Sequence, residues 1–208
     1  MGARMEPTIY KPSIYKGAGI YKAGAEGGGG GGDIDKSIFS VLYPTSEYRY
    51  IIFEEKIEKQ DLSILLSFSR SRSSECRFLK LYDESDNQIG QIVSSSSSVM
   101  YVNNATGSYG DSVSVSAVNT VIMRNGAYNF YREGTKSSFG CPWANSFIKK
   151  ISFGFGFIYR FAMFKGGIDI NDNSEFIVDM RPAIVNGENG VKDIVNNKFY
   201  KLEQVSVY

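Results

Sequence analysis

From residue 33 onward the side chains alternate with a period close to two, and no stretch carries a helix-period apolar stripe longer than two turns. Leu62, Ile64, Leu66 and Phe68 alternate with Ser63, Leu65, Ser67 and Ser69, the pattern of a half-buried strand. Val113, Val115 and Ala117 alternate with Ser112, Ser114 and Ser116 in the same way. A chain patterned like this can bury its apolar side chains only by pairing strands and stacking the resulting sheets. About a dozen short strands imply an all-β fold: two antiparallel sheets packed face to face as a jelly-roll sandwich.

Turn chemistry marks the joints. Asp83, Glu84, Ser85, Asp86 and Asn87 form a polar turn between strands at 77–82 and 88–93, which predicts a hairpin. Asn125-Gly126 is the strongest two-residue hairpin signal in the chain and joins 118–124 to a return strand containing Tyr128 and Phe130. Short apolar runs at 37–43 and 48–55 flank Pro44-Thr45-Ser46, and 99–102 follows a run of serines. Three longer strands are expected at 148–157, 158–165 and 175–180. Asn186-Gly187 and Asn189-Gly190 read as turns, and Asn196-Asn197 as the link between strands at 191–195 and 198–202. This last hairpin should close the sandwich, with Ile194 and Phe199 facing the core or the junction between sheets and Lys192 and Lys198 reaching solvent.

Residues 1–32 differ in kind from the sandwich at 33–208. They hold three Ile-Tyr-Lys units (Ile9-Tyr10-Lys11, Ile14-Tyr15-Lys16, Ile20-Tyr21-Lys22) before an unbroken run from Gly27 to Gly32. The units are five and then six residues apart, a spacing that fits neither a helix face nor a regular strand face. So short and glycine-rich a segment cannot bury a core of its own. A plain linker has no use for three Ile-Tyr pairs, whereas an extended arm lying across a partner does, because tyrosine offers large contact area at low rotamer entropy. A flexible sticky tail and a folded repeat are the other readings of the same residues.

Composition removes several functions. The sequence contains no histidine, which excludes histidine-based catalytic triads, histidine-ligated metals and a histidine pH switch. Two cysteines, Cys76 and Cys141, cannot build a four-thiolate site, and their contexts favour free, buried thiols. The balance of 23 Lys plus Arg against 22 Asp plus Glu gives no phosphate-neutralising surface, so nucleic acid is not an expected partner. No window approaches the roughly 18 apolar residues of a membrane-spanning helix, and no signal peptide opens the chain. Synthesis in a cytoplasm without membrane insertion is the expectation.

The C-terminal third carries a pattern of its own. An aromatic strand from Lys150 to Phe164 precedes Phe176-Ile177-Val178-Asp179-Met180-Arg181-Pro182-Ala183. Then come Gly190, Asp193 and Lys198-Phe199-Tyr200. This order resembles the end of concanavalin A-like, laminin-G-type jelly-roll domains in tail, fibre and surface proteins of gut-bacterial phages and prophages. Lys192 stands where that pattern has an aromatic. The Ile-Tyr-Lys and polyglycine leader is similar to small virion proteins of phages infecting Bacteroidota. The resemblance implies a non-enzymatic virion structural protein, a head-decoration, fibre or tail-associated module. Other virion proteins would be its partners through the arm residues Ile9, Tyr10, Ile14, Tyr15, Ile20 and Tyr21, and a homo-oligomer is expected. The alternative is a glycan-binding adhesin recognising the host surface.

Few residues offer chemistry. Laminarinase-like relatives of such sandwiches carry Glu-x-Asp-x-x-Glu on one strand, and this chain has no such triplet. Asp169, Asn171, Asp172 and Asn173 lack the spacing of a calcium loop and read as an Asx-capped turn. No catalytic residue, metal or cofactor is therefore expected. Trp143 sits between strands in Gly140-Cys141-Pro142-Trp143, as a lid over the core or, with Tyr101 and Tyr109, as a contact for a glycan or partner. Asp179 and Arg181 alternate on one strand, and Arg181 is expected to pair with Asp193 of the closing hairpin as a structural contact; Phe199 is structural through its expected burial in that hairpin.

Overall fold

A computed structural model describes residues 34–35, 39–41, 49–69, 76–94, 99–104, 107–112, 118–125, 127–132, 135–139, 146–154, 156–166, 175–203 and 205–207. The arm residues Ile9, Tyr10, Ile14, Tyr15, Ile20 and Tyr21, together with Trp143 and the 169–173 cluster, lie outside them. In chain order the strands are β1 Ile34–Asp35, β2 Phe39–Val41, β3 Arg49–Glu58, β4 Leu62–Ser69, β5 Cys76–Tyr82 and β6 Gln88–Ser94. Next come β7 Val99–Asn104, β8 Gly107–Ser112, β9 Asn119–Arg124, β10 Ala127–Arg132, β11 Thr135–Phe139 and β12 Phe147–Phe153. The last are β13 Gly156–Lys165, β14 Glu175–Val185, β15 Glu188–Asp193, β16 Lys198–Lys201 and β17 Val205–Val207. No helix occurs among the described residues.

The strands form two antiparallel sheets, as the alternation requires. The first runs β11-β10-β9-β4-β13-β14-β15-β16, with β1 on β14, β2 on β13 and β17 on β2. The second runs β3-β12-β5-β6-β7-β8. The chain changes sheet repeatedly, so β4 lies between β9 and β13, and β12 lies between β3 and β5. This interleaving of distant segments is jelly-roll connectivity and not two separate meanders.

Aromatic rings join the sheets. Phe68 of β4 packs on Phe78 of β5 with centroids 4.2 Å apart, and Phe153 of β12 meets Phe161 of β13 edge-on at 5.8 Å. Ile51, Leu79, Val121 and Phe130 fill the same buried layer. Cys76 is buried in it, while Cys141 lies outside the described residues.

Local turn chemistry holds where it was strongest. The β5–β6 hairpin turns at Asp83, whose carboxylate accepts hydrogen bonds from the Ser85 and Asn87 amides at 2.9 and 2.8 Å. Asn125-Gly126 separates β9 from β10, whose register runs from Arg124–Ala127 to Asn119–Arg132. Asn186 and Gly187 take φ of 51° and 81° at the β14–β15 turn, the left-handed pair a tight hairpin demands.

Other expectations fail for tertiary reasons. Asn189-Gly190 is no turn: both residues pair with β14 inside β15. An added Cβ at Gly190 would lie 2.1 Å from the Tyr200 carbonyl oxygen, so this glycine admits the neighbouring backbone. The strand expected at 148–157 stops at Phe153, and Gly154 leaves it to donate to the Phe78 carbonyl at 3.0 Å. β4 is not half-buried: Ser63, Ser67 and Ser69 are buried along with its apolar residues, so both faces are covered.

The closing hairpin also differs. β15 ends at Asp193, and Ile194 and Val195 stand in the turn, 50% and 44% exposed, instead of facing the core. Phe199 is only partly buried. Closure falls to Val191, Leu202, Val205 and Val207, with β17 pairing onto β2. Lys192 and Lys198 are both half-exposed, and Lys198 bonds Glu54 of β3. Leu202→Ala should therefore lower stability by about 2–5 kcal/mol, the range for a buried leucine truncated in place. Ile194→Ala should leave a urea unfolding midpoint unchanged, and equal losses from the two substitutions would refute this assignment.

Candidate functional site

The face of the first sheet that points away from the sandwich core is itself buried. Cross-strand register puts Leu65, Ile122, Ala162 and Phe164 on it, together with Ser67, Thr120, Arg160 and Asp179. The apolar members form a second, smaller cluster, with Phe176 against Phe164 at 5.3 Å. A buried layer of this kind must pair every charge that enters it.

Arg160 and Asp179 meet this requirement. Arg160 Nε and Nη2 donate to Asp179 Oδ1 and Oδ2 at 2.8 and 2.7 Å, a fork-to-fork pair. Arg181 Nε and Nη2 approach the same two oxygens at 2.9 and 3.1 Å. One carboxylate thus accepts four charge-assisted hydrogen bonds from two guanidiniums. The Arg160 guanidinium also lies over the Phe176 ring, 5.2 Å from its centroid. Burial alone would push the Asp179 carboxyl up, but hydrogen bonds from Arg181 and Arg160, with their charges, hold it below the usual carboxylate range.

Asp193 is close by but differently engaged. Its Oδ1 accepts from the Asp179 and Val195 amides, both at 3.1 Å, and its Oδ2 from Asn196 Nδ2 at 2.6 Å. Asn196 Nδ2 also reaches the Ile177 carbonyl at 2.9 Å. The expected Arg181–Asp193 pairing is therefore replaced. Arg181 chelates Asp179, two residues away on its own strand, while Asp193 caps the turn that follows β15. Phe199 lies apart, opposite Lys192 in the β15–β16 register. Arg160 completes the cluster, although nothing in the aromatic strand from Lys150 to Phe164 singled it out. A lone charge in such a strand was the available signal, since it must be paired if the strand is buried.

Chemically, the cluster holds charge in place and does not move protons. A carboxyl kept ionised by four donors cannot act as a general acid near neutral pH.

The second surface of note is the outer face of the second sheet, at β3 and β12. Tyr50 and Ile52 of β3 and Phe147 of β12 are 44%, 61% and 39% exposed. Lys150 lies between the Tyr50 and Tyr82 rings, 4.4 and 4.8 Å from their centroids, and pairs with Asp86. Lys56 stands over the Phe147 ring at 4.5 Å. Tyr101 and Tyr109 lie on β7 and β8 at the opposite edge of this sheet, in register with Gly110 and Val102.

No protein-family model and no curated protein matches the chain. Among solved structures it is similar to the full extracellular region of zebrafish Gpr126/Adgrg6, with a TM-score of 0.46 and 13% identity. That match covers 62% of this chain and 21% of the zebrafish chain. It is also similar to a native heptameric SAP-like pentraxin from Limulus polyphemus, with a TM-score of 0.45 and 8% identity. That match covers 62% of this chain and 76% of the pentraxin chain.

Asp179→Asn strips charge from a buried network and should cost about 3–5 kcal/mol at pH 7. Because the folded carboxyl titrates below its unfolded value, its contribution is full above a pH of about 3.9. The contribution is lost as pH falls through the depressed folded value. The gap between wild type and Asp179→Asn should accordingly narrow below pH about 4 in urea titrations. A gap unchanged between pH 7 and pH 3 would contradict this account.

Proposed function

We propose that this chain is a non-catalytic structural protein of a bacteriophage particle, a jelly-roll module attached to other virion proteins by residues 1–32. The observation that carries the reading is the leader itself: three Ile-Tyr-Lys units and six glycines ahead of a sandwich with its own core. Ile and Tyr side chains repeated in a segment without a core make sense when a partner covers them. The C-terminal pattern from Lys150 to Tyr200 supports the same assignment by its resemblance to phage fibre and tail domains.

The treatment of acids speaks against glycoside hydrolysis. That reaction needs two carboxyl groups about 5–9 Å apart across a cleft, one of them carrying a proton. Asp179 is clamped by two arginines, and Asp193 is engaged by two backbone amides and an asparagine. Neither is free to protonate a leaving group or to activate water.

Deleting residues 1–26 should leave a sandwich with an unchanged urea midpoint that no longer enters particles when supplied in trans to a phage lacking the full chain. Normal incorporation of the truncated chain would overturn the reading. The purified full chain should release no reducing ends from a panel of bacterial capsule polysaccharides.

A further inference from the structure

Among the described residues β3 ends the second sheet, so one side of a ten-residue strand has no partner strand. Long edges with apolar outer faces are a hazard that proteins usually cover, charge or interrupt. Here the interruption is partial. Arg49 to Ile52 pair regularly with Phe153 to Lys150, and the register shifts only beyond Ile52. The outer face along this edge is apolar at Tyr50, Ile52 and Phe147. Further along β3 are the exposed Glu55 and Glu58, Glu58 directly opposite Phe147, and neither is in an ion pair among the described residues. The neighbouring acids Glu54 and Glu84 are already paired, with Lys198 and Lys56.

We propose that this edge receives an Ile-Tyr-Lys unit from the leader of a second copy of the chain, added as an extended strand beside β3. The inference rests on the reading of residues 1–32 as an assembly arm. Alternation along a strand puts residues i and i+2 on one face. The Ile and Lys of each unit therefore share a face, with Tyr on the other. That face matches the edge: isoleucine covers Ile52, and the lysine ammonium meets Glu58, which stands opposite Phe147. Charge agrees overall, since residues 1–22 carry Arg4, Lys11, Lys16 and Lys22 against Glu6 alone. Backbone hydrogen bonds to the open edge supply affinity, and the alternating side chains supply specificity.

Self-association of the full chain by sedimentation velocity tests this. The wild-type chain should associate with concentration and dissociate partly in high salt. Ile52→Lys should weaken association about tenfold or more, as should the charge reversal Glu55→Lys/Glu58→Lys. All three positions are exposed, so both variants should unfold like wild type. Lys11→Glu/Lys16→Glu/Lys22→Glu should weaken association equally, and combining it with Glu55→Lys/Glu58→Lys should restore most of it. If Tyr10→Ser/Tyr15→Ser/Tyr21→Ser abolishes association while Ile52→Lys does nothing, the arm docks elsewhere and this inference falls, although the assembly-arm reading stands. If Ile52→Lys abolishes it and leader variants do nothing, the faces pair with each other and the inference falls. A full chain that stays monomeric also overturns it, leaving particle incorporation to decide the role of the arm.

Discussion

Strands β4 and β13 are covered on both faces, and most of the first sheet follows from that constraint. Their inner residues, Phe68 and Phe161 among them, meet the second sheet through Phe78 and Phe153. Their outer residues enter a second buried layer, where a polar atom without a partner costs more than an ordinary hydrogen bond returns. Ser67 accordingly bonds Thr120 at 2.9 Å, and Ser69 bonds Tyr159 at 3.0 Å. Arg160 could not stand there without an acid, and Asp179 on the adjoining strand supplies one.

The consequences run outward from Asp179. Its side chain fixes β13 to β14 through Arg160, and its amide is held by Asp193 at the end of β15. Its carbonyl accepts from the Ile194 amide at 2.9 Å, so one residue ties β13, β14 and the turn after β15. Buried ion pairs add little net stability relative to apolar packing of the same shape, because desolvation offsets the attraction. Their effect is on uniqueness. A slip of β14 by one residue against β13 would turn Asp179 toward the core and leave Arg160 buried without its acid, which makes the observed register strongly preferred.

The two sheets divide the functional possibilities. The outer face of the first is closed, and its acids are immobilised. Among the described residues the outer face of the second has no strand beyond β3 and is apolar at Tyr50, Ile52 and Phe147, with exposed carboxylates along β3.

Features set by neighbouring residues were legible in the sequence. Period-two alternation dictated an all-β sandwich, because such strands can hide apolar side chains only between sheets. The turns at Asp83, Asn125-Gly126 and Asn186-Gly187 depend on side chains a few residues apart, and each stands where its chemistry places it. The grouping of Asp179, Arg181 and Asp193 was also visible, but not who bonds whom. Arg160 lies 19 residues from Asp179, and β4 lies between strands drawn from distant parts of the chain. Whether a serine on β4 faces water or a second layer depends on those distant neighbours, so alternation alone could not show that both faces are buried. Gly190 looked like a turn residue because its contact, the Tyr200 backbone, is supplied by the next strand. Ile194 looked like core because hydrophobicity is a property of the residue, whereas burial depends on where a strand ends. The Asp193 carboxylate, by capping the turn, decided that end only once the sheet had formed.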